Sequence, residues 1–147
     1  MPDSDLFARI ESSFRRQSLL ATLGARLRSV ESGIVEIELP NAPHVLQQHG
    51  FVHAGAITSI ADSACGYACL TKMSDTDAVL SVEFKINLLA PAKGDSFLAR
   101  GSVVKMGRTI GVATAEVFAH VNNDPPVFIA VMQATMIRVT PSAGQTG

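Results

Sequence analysis

Five positions between 47 and 62 have the residue types and spacing that chemistry at a carbonyl needs: Gln47, His53, Ala54, Gly55 and Asp62. Asp62 stands alone in an apolar stretch, with Ala56, Ile57, Ile60 and Ala61 before it and Ala64, Cys65 and Ala68 after it. An ionised acid there is costly unless something pairs with it, hydrogen-bonds it or uses it. Used, it carries chemistry; bonded to Ser59, Ser81 or a backbone amide, it is structural. Where a helix opens near His53, the first-turn N–H groups lack intrahelical acceptors and the macrodipole favours negative charge. An oxyanion suits that end, and Gly55 carries no side chain to block it. Asp62 follows Gly55 by seven residues, about 20° around a helix and roughly 10 Å along it, so one stripe would join the anion site to the acid. In a two-fold dimer the helix end of one subunit can also meet the carboxylate of its neighbour.

Other candidates have plainer readings. His53 can cap the helix, and Gln47 can bond its own loop. His44, His49 and His53 lie partly in an irregular segment without a carboxylate at ligand spacing, so no metal site is expected. Cys65 and Cys69 are one helical turn apart, a poor geometry for a disulfide and too few ligands for zinc, and read as small buried hydrophobes. Lys105 and Arg108 flank a hairpin, where solvated turn residues are the ordinary case and phosphate contacts the functional one; Thr109 and Arg138 stay open in the same way.

The 147 residues suffice for one domain with a proper core, taken as 1–140 with a disordered tail at 141–147. A net charge of −1 provides no field for nucleic acid or an acidic membrane surface. With 47% hydrophobic and 17% charged residues, some surface is expected to be buried between subunits, giving a homodimer or homotetramer. The N-terminus lacks a basic segment followed by an apolar one, so a cytoplasmic location is expected. The apolar run from Ala54 to Leu70 is too short and too interrupted to span a bilayer.

These residues need elements to hold them. Asp3 or Ser4 caps a first helix with Leu6, Ile10 and Phe14 on one face. The period then changes to two over Leu19–Arg28 and Ile34–Leu39, predicting two strands with a turn at Gly33. "PNAPHVLQQHG" reads as loop, and a long apolar helix runs from near His53 to about Met73. Four more strands follow: a half-buried one in which Val82, Phe84, Ile86 and Leu88 alternate with polar residues, then "FLARGSVVKMG", "GVATAEVFAHV" and "VFIAVMQATMIRV", the last apolar on both faces as in a central strand. The class is α+β. Six antiparallel strands and one buried helix are most economically arranged with the curved sheet wrapped around the helix, the hotdog architecture, plus an extra N-terminal helix.

The segment "HGFVHAGAITSIAD" resembles the motif of PaaI-like hotdog acyl-CoA thioesterases, in which an acid stands nine residues after a His that opens the helix. "SVEFKINLLAPAKGD" and "VVKMGRTIGVATAEV" resemble further strands of that family. The resemblance implies hydrolysis of an acyl-CoA, without a cofactor, by Asp62 as general base or nucleophile. It implies the Ala54 N–H as oxyanion donor, His53 and Gln47 shaping the site, and Ser81 orienting the attacking water. Gly55, Lys105 and Arg108 are then substrate-binding. Ala54 departs from the family's first glycine; its N–H survives the change unless the position needs φ > 0.

Overall fold

A computed structural model describes residues 3–141. Helix α1, Ser4–Phe14, starts where the Asp3 carboxylate accepts from the Asp5 and Leu6 N–H groups, and buries Ile10 and Phe14. The first half of the expected strand over Leu19–Arg28 is instead helix: Ser18–Leu23 forms α2, with Leu20 as its buried anchor. Gly24, left-handed at φ 81°, ends it, and strand β1 starts only at Arg26 and runs to Glu31. The run "SLLATL" has straight-chain helix formers that outweigh a short period-two pattern.

Strand β2 (Ile34–Pro40) follows the turn at Gly33, and the long helix α3 occupies Ala54–Leu70. Strands β3 (Ala78–Leu88), β4 (Ser96–Met106), β5 (Ile110–His120) and β6 (Val127–Val139) complete one six-stranded antiparallel sheet in the order β1-β2-β4-β5-β6-β3. The sheet packs on α3, whose Ile57, Ile60, Ala61, Ala64, Cys65, Ala68, Cys69 and Leu70 are buried. Small residues let the layers close: a Cβ at Gly101 of β4 would lie 2.3 Å from the Ala64 carbonyl oxygen of α3. Only glycine permits that approach. At the other end of α3, Arg9 of α1 donates to the Leu70, Met73 and Ser74 carbonyls, matching a cation to the negative helix terminus.

Strand β6 is interior, as its two apolar faces require. Strand β3 departs from expectation. It forms a sheet edge, bulged between Ser81 and Glu83, and Leu80, Val82, Phe84 and Leu88 are each 46–58% exposed rather than half-buried. The bulge interrupts its alternation: Phe84, Ile86 and Leu88 lie opposite Ala134, Met132 and Ala130 on the core-facing side of β6, whereas Leu80 lies opposite Ile137 on the other side. The polar turn after α3 is also more built than its sequence suggests: Asp77 is buried, accepts from the Ser74 N–H and pairs with Arg138 at 3.5 Å. Of the expected tail, 142–147 lie outside the described residues.

Candidate active site

The loop before α3 is organised despite its prolines. A single 3-10 turn at Pro43–Val45 precedes a bridge between Leu46 and Val52, and the Gln47 N–H donates to the Phe51 carbonyl at 2.8 Å. The Gln47 Oε1 accepts from the His49 N–H. The loop is tied to the connection between β3 and β4, where the Val52 N–H donates to the Ala92 carbonyl at 3.0 Å. Gln47, His53 and Ala54 therefore arrive together, in a cleft of about 520 Å³ lined also by Phe51, Leu88 and Leu89.

His53 is the N-cap of α3: its Nδ1 accepts from the Gly55 N–H at 2.7 Å. In this arrangement Nδ1 is unprotonated, so a neutral ring carries its proton on Nε2. A side chain at residue 55 would place its Cβ 2.9 Å from that Nδ1, so the space left free by Gly55 belongs to the imidazole. The Ala54 N–H donates to none of the described residues and is the first-turn donor still available to a ligand.

Asp62 lies in a different cleft, of about 690 Å³, together with Ser81, Ser63, Gly66 and Tyr67. The Ser81 hydroxyl donates to Asp62 Oδ1 at 2.7 Å and is 3.4 Å from Met136 Sδ. Ser59, the other hydroxyl considered for Asp62, donates instead to the Gly55 carbonyl. Asp62 Oδ2 accepts from none of the described residues. The carboxylate is thus half-buried, fixed on one oxygen and open on the other. The stripe from Gly55 to Asp62 does not form one site within a chain, because the two ends face separate clefts.

Next to Asp62 in the core, burial first and then the charge of Asp62 push the Cys65 thiol from 9.0 up to about 12, and burial pushes Cys69 to about 11. Both stay protonated and inert near neutral pH. Lys105 lines a third cleft, of about 640 Å³, with Lys72 and Arg138. Sequence reasoning missed Lys72 because it follows α3, far in the chain from the hairpin it faces. Arg108 is exposed on the hairpin and does not line that cleft. The Arg138 Nε is buried without a hydrogen-bond partner among the described residues. No group of three or more His, Cys, Asp or Glu among those residues is placed to hold a metal.

Residues 49–124 match the family model of the thioesterase superfamily. A protein of Halobacterium salinarum that carries an esterase designation is 30% identical over 77% of this chain and 78% of its own. A medium/long-chain acyl-CoA thioesterase of Salmonella typhimurium is 23% identical over 77% of this chain and 80% of its own. Among solved structures, a thioesterase family protein from Silicibacter pomeroyi superposes with a TM-score of 0.89 at 44% identity, covering 92% of this chain and 99% of that one. The E. coli PaaI protein shares the fold, with a TM-score of 0.80 at 22% identity over 96% and 95% of the two chains.

Proposed function

We propose that this chain, which belongs to the thioesterase superfamily and is a thioester hydrolase, hydrolyses acyl-CoA to a free acid and CoA with Asp62 as the general base. The observation that carries this reading is the Asp62 carboxylate, held on Oδ1 by Ser81 and open on Oδ2 at the wall of a cleft. In that arrangement Oδ2 takes a proton from water as the water oxygen bonds to the thioester carbonyl carbon. The carbonyl electrons move onto oxygen, and an N–H at the start of a helix, that of Ala54, stabilises the charge. The oxyanion then collapses, the carbon–sulfur bond breaks, and the proton held by Asp62 passes to the departing sulfur. Ser81 acts on Asp62 in this scheme rather than on the water. Gln47 and His53 shape the oxyanion side, and the cations Lys105, Lys72 and Arg138 suit the CoA phosphates.

The site is completed by a second copy. The Asp62 cleft is lined by Ala78–Ser81 at the start of β3, whereas the Ala54 cleft is lined by Leu88–Ala92 at and beyond its end. Two β3 edges paired antiparallel about an axis near Phe84 would put the start of one beside the end of the other. That pairing would bring each Asp62 toward the partner's helix end and cover Leu80, Val82, Phe84 and Leu88, an exposed apolar edge of the kind proteins seldom leave open. The proposed protein is a cytoplasmic homodimer, or a tetramer of such pairs. No helix among the described residues is long and apolar enough to cross a membrane.

Free-thiol release from a panel of acyl-CoAs tests the activity. Hydrolysis of at least one member, with CoA and free acid in equal amounts, is expected. Binding without release, or addition of water across a carbon–carbon double bond with the thioester intact, would overturn it.

A further inference from the structure

A thioester held with its carbonyl oxygen at the Ala54 N–H has two substituents on the carbonyl carbon, the acyl body and the sulfur with its CoA arm. The two clefts that share the site offer them different surroundings. The Ala54 cleft is floored by Val52, Ile57 and Ile129, all buried, and walled by Phe51, Leu88 and Leu89. Its polar side chains, Gln47 and His53, are those that flank the oxyanion donor. No other side chain of its lining can form a hydrogen bond.

The Asp62 cleft is lined differently. Ser13 and Gln17 converge on the Tyr67 hydroxyl, at 3.1 Å and 2.7 Å, and Ser63 and Thr140 add further hydroxyls. Its apolar part is tight, since a Cβ at Gly66 would already touch Val79 and Met136 at 3.9 Å. It also adjoins the cations: Val139 and Leu70 of its lining stand one and two residues from Arg138 and Lys72. An arm that carries amides and ends in phosphates matches this cleft, whereas an acyl chain has no hydrogen bond to make and matches the other. Resting on the thioesterase reading above, we infer that the Ala54 cleft is the acyl subsite, that it takes an apolar acyl chain, and that Leu89 at its rim is a specificity-determining residue. Leu89 is 52% exposed, and a longer chain takes that surface out of water where a short one ends before it.

The test compares Leu89→Ala with Val79→Ala, by thiol release from straight-chain acyl-CoAs running from acetyl to decanoyl, with thermal unfolding alongside. For Leu89→Ala the ratio of variant to wild-type kcat/KM should fall as the chain lengthens, by roughly 10-fold between acetyl and decanoyl, the scale of a lost apolar contact in a specificity pocket. Leu89→Met, which keeps the apolar volume, should restore the wild-type length profile. Val79→Ala trims an apolar side chain of the Asp62 cleft and should give the same ratio at every length, whatever its Tm. A Leu89→Ala ratio independent of length would overturn the inference, and so would a Val79→Ala ratio that changes with length, which would put the acyl chain beside Asp62. No release by the wild-type protein from any thioester would instead overturn the hydrolase reading on which it rests.

Discussion

Ser81 on the bulged edge strand and Asp62 on the central helix are joined by a 2.7 Å hydrogen bond, 19 residues apart in sequence. The bond couples the catalytic candidate to β3, one of the two edge strands of the sheet. It also spends the only proton of the hydroxyl, so Ser81 orients the carboxylate and leaves Oδ2 to handle water. Asp62→Asn should fold normally and lose at least about 100-fold in turnover, the scale of a positioned base. Ser81→Ala should lose about 10-fold alone and almost nothing further in the Asp62→Asn background, because residues acting through one another are not additive. Steady-state kinetics of the two single variants and the double variant check this; additive losses would show that Ser81 acts separately.

The thiols give a stability prediction whose sign is fixed. Both folded-state pKa values lie above 9.0, at about 12 for Cys65 and about 11 for Cys69. Below pH 9 both folded and unfolded chains keep these protons, and the full contribution to stability is present. As pH rises past 9 the unfolded chain loses protons first, so stability declines until the folded values are reached, by up to about 1.4 kcal/mol per pH unit for each thiol. Urea midpoints between pH 7 and 11 should fall less steeply for Cys65→Ala/Cys69→Ala than for wild type. Parallel slopes would contradict the burial argument.

How much of this was legible in the sequence depended on the range of the interaction concerned. The apolar run from Ala54 to Leu70, broken by one acid, exposes both the buried helix and its catalytic candidate, because composition within one helix is local information. The match of His53 to the helix start is local too. The strand over Leu19–Arg28 failed on information that is also local: Leu19 and Leu20 fit either period, and the helix propensity of "SLLATL" outweighs the period-two pattern over Ser18–Leu23. Lys72 and Asp77 were missed because their partners, Arg138 and the cleft wall at Lys105, come from strands more than 30 residues later. The separation of Ala54 from Asp62 into two clefts depends on how the ends of β3 meet α3, and no helical spacing encodes that.

Lys105, Lys72 and Arg138 share a cleft in a chain with almost no net charge, so their effect should be confined to the charged part of a substrate. Lys105→Ala should raise KM for an acyl-CoA by about two- to fivefold at low salt, the scale of one partly screened contact, and leave kcat unchanged. The same acyl group on a short thiol without phosphates should show no change. Raising the salt concentration should erase the difference. An equal rise in KM for both thioesters would place Lys105 away from the phosphates.

The last prediction concerns the shared site. If each active centre takes Asp62 from one chain and Gln47 with the Ala54 N–H from the other, a heterodimer of Asp62→Asn and Gln47→Ala chains has one intact centre and one doubly damaged. Gln47→Ala alone should lower turnover by about 10- to 100-fold, since it removes a side chain beside the oxyanion donor but leaves the amide. Equal mixing with free subunit exchange makes half the dimers hetero, so activity should recover to about a quarter of wild type, well above the sum of the two parents. Exchange is verified independently by mass-tagged subunits, and activity is followed as it proceeds. Demonstrated exchange without recovery would put both residues to work in one chain, and a turning-over monomer by light scattering would remove the need for the β3 pairing altogether.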